Sequence, residues 1–221
     1  MKYLTRIAVV AAALAASSGA FATDIQLRVG AAKVAPKSDN NALVTVESAT
    51  QLSLGATVYF TRNFAVDILG SLPFKHDIKL TAAGAAAVGG ALGVSVPAGF
   101  TAATTKHLPP TISAQWHFLP GNTVDPYVGL GVNYTNFFNK ETQGALAGTH
   151  LVLPPSWGLA AQAGVDFNFG SGYVLQLDVR YAKISTHAKV MTAGGALVLD
   201  VGDVNIDPMV YGINFGKHFD L

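Results

Sequence analysis

The sequence predicts an all-β fold: an eight-stranded antiparallel transmembrane β-barrel with long extracellular loops and short periplasmic turns. Three observations lead there. Bulky apolar residues alternate with polar residues and glycine over runs near ten residues long. The connections between runs alternate between short turns and long loops. The charges inside the runs, Arg28, Asp67, Asp166, Asp178 and Arg180, all fall on the small-residue face. A water-soluble barrel would bury the bulky face and expose the charges, so here the bulky face must meet lipid and the charged face must line the interior.

The N-terminus comes first. Lys2 and Arg6 precede an apolar run from Ile7 to Ala16, and Ala20-Phe21-Ala22 has the small-x-small form of a cleavage site. The run is about ten residues, half of what a spanning helix needs, so residues 1–22 read as a cleaved secretory signal peptide and 23–221 as the exported barrel. Cleavage after Ala22 would remove two bases and leave 12 basic against 13 acidic residues, a net charge of −1.

The strands follow in order. Ile25, Leu27 and Val29 oppose Gln26, Arg28 and Gly30. Leu52 to Phe60 alternates with Gln51 to Tyr59, and the turn Thr61-Arg62-Asn63 leads into Phe64, Val66 and Ile68 against Ala65, Asp67 and Leu69. After a long connection, Ile112, Ala114, Trp116 and Phe118 oppose Thr111, Ser113, Gln115 and His117. Pro120-Gly121-Asn122 turns the chain into Val128, Leu130, Val132 and Tyr134. Trp157 to Phe169 alternates with Ser156 to Asn168, Gly170-Ser171-Gly172 turns, and Tyr173 to Tyr181 alternates with Val174 to Ala182. Tyr211, Ile213, Phe215 and Phe219 close the series.

Aromatic positions agree with a membrane. Phe60, Phe64, Phe118, Phe167, Phe169, Tyr173 and Phe219 gather beside the short turns, and Tyr134, Phe137, Phe138, Trp157 and Tyr181 near the long loops. Amphipathic rings favour the two interfaces in this way. The stretch from Leu80 to Thr105 has no charge, yet its Ala/Gly run is weakly apolar and Pro97 interrupts it, so it reads as a long, apolar outer loop rather than a spanning helix.

Composition excludes several function classes. The 221 residues are 50% hydrophobic and 12% charged, too apolar for a disordered chain. With 14 Lys+Arg against 13 Asp+Glu there is no basic excess for nucleic acid, and zero cysteines remove disulfides, thiolate metal sites and cysteine nucleophiles. Ser185-Thr186-His187 and Thr149-His150 are the nearest approach to a nucleophile and base, but no acid follows either at orienting spacing. His107, beside two prolines, reads as a hydrogen-bonding structural residue. The six histidines stand at 76, 107, 117, 150, 187 and 218 with no i,i+2 or i,i+4 pair. Asp200, Asp203 and Asp207 lack the central glycine and terminal Glu of a calcium loop. Neither an enzyme nor a metal or cofactor site is expected.

The interior charges have a structural role. Eight strands leave room only for side chains, and unpaired buried charge is costly. Arg28 and Arg180 should therefore pair with Asp67, Asp166 or Asp178 and plug the bore. Leu69 and Val174, read as inward positions near the long loops, together with Pro109 and Pro110, which remove two backbone donors, form a candidate hydrophobic pathway.

Five stretches carry a resemblance. They are Asn63–Phe74 (NFAVDILGSLPF), His107–Phe118 (HLPPTISAQWHF), Pro126–Phe138 (PYVGLGVNYTNFF), Ser156–Asp166 (SWGLAAQAGVD) and Leu199–Val210 (LDVGDVNIDPMV). The chain resembles the OmpW family of outer-membrane proteins, which includes the alkane-uptake porin AlkL. The resemblance implies an eight-stranded barrel in the outer membrane of a Gram-negative bacterium, with a narrow, partly hydrophobic bore passing small apolar molecules. Implied partners are outer-membrane lipid, small hydrophobic solutes and, during biogenesis, the barrel-assembly machinery. Two positions depart from the pattern: the chain ends Phe219-Asp220-Leu221, moving the terminal aromatic inward by two, and Arg180 interrupts an apolar bore. The alternative function is a non-transporting structural or receptor barrel that binds partners through its extracellular loops.

Overall fold

The computed structural model describes residues 24–37 and 39–220; the expected signal peptide lies outside the described residues. In chain order the strands are β1 (Asp24–Ala35), β2 (Val44–Val46), β3 (Ala49–Tyr59), β4 (Phe64–Ser71), β5 (Phe74–Leu80), β6 (Thr101–Leu108), β7 (Thr111–His117) and β8 (Val124–Thr142). They continue as β9 (His150–Val152), β10 (Ser156–Asn168), β11 (Tyr173–Ala182), β12 (Ser185–Met191), β13 (Leu197–Asn205) and β14 (Met209–Asp220). Among the described residues a single α-helix, α1 (Ala82–Leu92), stands between β5 and β6.

Eight of these strands close a barrel in the order β1, β3, β4, β7, β8, β10, β11, β14, with β14 pairing back onto β1 and every pair antiparallel. Closure removes the unpaired edges that lipid cannot hydrogen-bond. The turns at 60–63, 118–123 and 169–172 lie at one end with both described strand termini, Asp24 opposite Asp220. Gly121 (φ 83°), Ser171 (φ 64°) and Gly172 (φ 76°) supply the left-handed backbone that two of these turns use.

The pleat sends each face where its chemistry requires. Leu27, Val29, Leu54, Leu130, Trp157, Leu159, Ile213 and Phe215 are exposed on the outside, a continuous apolar band of the kind lipid covers. Gln26, Arg28, Thr57, Asp67, Gln115, Asp166, Gln176, Asp178, Arg180 and Asn214 are buried inside. Glycines make space for that packing. A Cβ on Gly212 would stand 2.1 Å from the Asp178 carboxylate, and one on Gly55 2.8 Å from the Arg28 guanidinium.

The long connections are not loops. Past the barrel rim β8 runs on to Thr142 and pairs with β6, which carries β5 and β2, while β9, β12 and β13 form a second sheet. Here the alternation inverts. Along β5, Phe74, His76 and Leu80 are buried while Lys75 is exposed; along β12, Thr186, Ala188 and Val190 are buried between His187 and Lys189. These segments stand in water, so their apolar side turns inward and forms a second core around Val44, Leu80, Phe137, Leu151, Val190 and Val204.

Two sequence expectations change in this region. The Leu80–Thr105 segment is not a loop: it contains α1 and most of β6. Thr81 caps α1 by accepting from the Gly84 N–H, Gly93 ends it at φ 67°, and Gly84, Ala85 and Val88 pack into the outer core. Tertiary packing thus outweighs the entropic cost of three internal glycines. At eleven residues the helix is too short to span a membrane, where about 20 are needed. Phe137, expected at the membrane interface, is buried in the outer core, because β8 carries it beyond the rim.

Candidate functional site

Three cavities stack along the barrel axis, separated by two kinds of barrier. The outermost lies between the two outer sheets and α1. Its walls are almost wholly apolar, including Val44, Leu80, Val88, Leu146, Leu151 and Val190.

At its floor are His76 and His107, whose Nε2 atoms approach to 3.1 Å in a T-shaped arrangement. Phe74 and Phe137 flank His107 with ring centroids at 5.7 and 5.9 Å. The β5–β6 pairing sets this cluster, placing Phe74 opposite His107, and β6–β8 places Phe137 opposite His107 from the other side. Burial holds the His76 imidazole below the ordinary histidine range, partly countered by its hydrogen bond to the Glu47 carbonyl and by Asp77. Burial pushes His107 further down, and the neighbouring His76 adds to it.

Below the cluster lies a narrow chamber lined by Leu69, Gly70, Phe74, His107, Pro109, Thr111 and Arg180. Its side wall is incomplete. The β4–β7 register ends at Leu69 opposite Thr111, while β4 continues to Ser71 alongside β3. Above Thr111 come Pro110 and Pro109, which have no N–H to offer a neighbouring strand. Their carbonyls turn instead toward β8: Asn133 Nδ2 donates to both, at 3.1 and 3.2 Å, and the Tyr134 N–H donates to Pro110.

The chamber's floor is charged. Asp67 on β4 takes Arg28 through one carboxylate oxygen and Arg180, at 3.1 Å, through the other. Arg180 also stands 3.5 Å from Asp178, and Arg28 donates to Gln26 and Thr57. Asp166 meets neither arginine; it accepts from Gln26 at 2.9 Å and Gln176 at 3.0 Å. A continuous polar chain, Arg180–Asp67–Arg28–Gln26–Asp166, therefore links the floor of the chamber to the roof of the third, polar cavity. That cavity opens at the short-turn end among Asp24, Tyr59, Asp125, Asp166 and His218.

Not every residue expected on the pathway lies there. Val174 is fully buried and inward, but it follows the 170–172 turn and pairs with Asn168 and Gly216, at the end away from the chamber. β11 rises from that turn, so its first inward position is its lowest. The outer cavity and His76 escaped the sequence reading, although period-2 alternation runs through 74–80 and 186–190.

The Ser185–His187 segment is strand β12, not loop, and acids do orient the histidine. His187 meets Asp203 through Nδ1 at 2.7 Å and Asp200 through Nε2 at 2.8 Å, across the β12–β13 pair. Spacing along the chain could not reveal this because the partners come from the neighbouring strand. The Asp203 hydrogen bond, chiefly, raises the His187 pKa, and the Gly202 N–H, chiefly, lowers that of Asp200. Asp207 instead caps the Ile184 N–H and approaches Lys37 at 3.7 Å, so the three aspartates do not converge.

Residues 20–219 match the OmpW family. The chain belongs to that family. Outer membrane protein W of Vibrio cholerae is 36% identical over 208 residues, covering 89% of this chain and 88% of that protein. The crystal structure of OprG from Pseudomonas aeruginosa matches with a TM-score of 0.74 at 31% identity, over 90% of this chain and 97% of that one. Outer membrane protein AlkL of Ectopseudomonas oleovorans is more distant, 28% identical over 150 residues, 66% of this chain and 57% of its own length. This OmpW-family barrel is thus an outer-membrane protein of a Gram-negative bacterium, its short turns periplasmic and its two added sheets extracellular.

Proposed function

We propose that this barrel carries small hydrophobic molecules across the outer leaflet and releases them sideways into the membrane. The observation that supports this reading is the apolar outer cavity standing directly over a chamber with His107 as the shared wall. A molecule gathered between the outer sheets can descend past Phe74 and His107 to Leu69. It cannot continue to the periplasm, because the next layer is Arg180 and Asp67, and leaving those charges without their polar partners is far costlier than an apolar solute can repay. The lateral route between β4 and β7, where the ladder ends and two prolines follow, leads to hydrocarbon and needs no desolvation of charge. Outer-membrane lipid is then both the surrounding solvent and the acceptor.

Uptake by reconstituted proteoliposomes tests the reading. Medium-chain alkanes should enter faster than in protein-free vesicles, while small sugars and salts should not. Equal alkane rates with and without the barrel would favour the alternative, a receptor barrel acting through its extracellular sheets.

A further inference from the structure

The outward face of the eight barrel strands carries almost no charge. Among the described residues on that face, two side chains are charged, Lys33 on β1 and Lys217 on β14, and both are cations. Lys33 stands near the outer end of its strand. Lys217 stands near the inner end, paired with Leu27 on one side and Tyr173 on the other. Its neighbours fix where the ammonium lies. Lys217 Nζ sits over the Tyr173 ring at 5.2 Å and over the Phe219 ring at 5.7 Å. Phe215, two residues closer to the membrane centre, stacks on Tyr173 with centroids 5.7 Å apart and planes at 16°. All three rings are exposed toward lipid.

A lysine at a membrane interface ordinarily extends along its stem into water. Lys217 is drawn back onto two ring faces instead, an attraction that strengthens where water is scarce. The rings hold the charge, yet the ammonium still has three N–H donors that seek oxygen. Lys217 has no ion pair or hydrogen bond among the described residues. The nearest carboxylates along the chain, Asp24 and Asp220, fall on the opposite face of the sheet, and Asp24 is taken by His218. Height decides which acceptor is at hand. The short turns are periplasmic, so Lys217 lies level with the inner leaflet's headgroups, where every phospholipid presents a phosphodiester anion. We infer that Lys217, Tyr173 and Phe219 form a docking site for one inner-leaflet phospholipid, whose phosphate oxygen accepts from Lys217 Nζ. An acyl chain then lies along Phe215 and Ile213 on the same outward row. Lys217 supplies the charge, and the two rings position it at the lipid surface. Lys33 has no ring over its ammonium among the described residues, so the outer end offers no such site.

Native mass spectrometry of the full barrel, released from mixed vesicles, tests the site with phosphatidylethanolamine and monogalactosyl diacylglycerol as probes. Both lipids are uncharged overall and can share acyl chains, but only the first has a phosphate. The barrel should retain one phosphatidylethanolamine about fivefold more often than the galactolipid, the effect of one lysine at an anionic headgroup. Lys217→Gln should abolish the preference and Lys217→Arg should keep it. Tyr173→Leu combined with Phe219→Leu should weaken it, because the ammonium is then free to leave the lipid surface. Lys33→Gln should retain the two lipids as the wild type does. Equal retention of both lipids by the wild type overturns the site, as does a preference that survives Lys217→Gln or disappears in Lys33→Gln. The first comparison uses the wild type alone, so a misfolded variant cannot hide the result.

Discussion

Asp67 and Arg180 lie on strands diametrically opposite in the barrel wall, and their side chains meet across the bore at 3.1 Å. Three strands lie between β4 and β11 in either direction, so this contact ties the two halves of the barrel together. With Arg28 on the other carboxylate oxygen, Asp67 is shared by two cations, of which Arg180 has a second carboxylate in Asp178. Removing one partner from a buried ion pair costs about 3–5 kcal/mol, less here to the extent that lumen water replaces it. Arg180→Leu should lower the unfolding midpoint in detergent. Asp67→Asn should lower it further, because it leaves Arg28 with no paired carboxylate and Arg180 with Asp178 alone. Unchanged midpoints for both variants would remove the cluster from the barrel's stability.

A second prediction concerns the space left for that cluster. Gly212→Val would place methyl groups where the Asp178 carboxylate now stands, pushing it from Arg180 and Asn214. Overpacking of this kind costs about 1–3 kcal/mol. Gly90→Ala on α1 is the contrasting case. A Cβ there meets nothing within 4 Å, and alanine in a helix gains about 0.5–1 kcal/mol over glycine, so this variant should be neutral or stabilising. Chemical unfolding of the two variants side by side measures both signs.

The extracellular sheets should loosen in acid. His76 and His107 are held neutral by burial with pKa values below the ordinary histidine range, so the unfolded segment binds protons more readily than the folded one. Their contribution is complete above about pH 6.5 and is lost as pH falls toward the depressed folded values. Asp77 favours the charged form of His76, and Glu47, whose carbonyl His76 meets, is paired with Lys79 at 3.1 Å. His187 has the opposite sign: its raised pKa adds stability at low pH that disappears as pH rises through that value. Amide exchange in β5 and β6 should therefore accelerate between pH 6.5 and 5 while β12 is steadied. A His76→Phe, His107→Phe double variant should flatten the response in β5 and β6 alone.

How much of this was legible in the sequence depends on the solvent each segment meets. The barrel strands were readable because lipid outside and a charged lumen inside impose one strict alternation over ten residues. The outer strands obey the reverse rule, apolar inward, and some are as short as three residues, such as Val44–Val46 and His150–Val152. A single rule applied along the whole chain passes over them. α1 was hidden for a different reason. Its Ala/Gly run has weak amphipathic patterning, and the Thr81 cap and the packing of Val88 decide its conformation. His76 and His107 are 31 residues apart and meet only through the β5–β6 pairing, just as Asp203 reaches His187 only through β12–β13. Strand direction accounts for Val174: the inward face was identified correctly, but height along the barrel depends on which end the strand starts from.

Leu69→Asp provides the sharpest test of the route. Leu69 is the last residue of β4 paired with β7 and lines the chamber above Arg180, beside Pro109. It is only partly buried and lines the same chamber as Arg180, so an aspartate can be hydrated or can approach Arg180 without displacing the barrel wall. Folding should survive, as heat-resistant migration in detergent would register. Transport should not, because a molecule reaching the chamber would have to displace the water held by the new carboxylate before leaving between β4 and β7. Alkane uptake should fall several-fold in cells carrying matched amounts of barrel. Leu69→Ala, which widens the chamber and adds no charge, should leave uptake near the wild-type rate. If both variants transport as the wild type does, solutes do not pass Leu69, and binding by the extracellular sheets becomes the better account of the outer cavity.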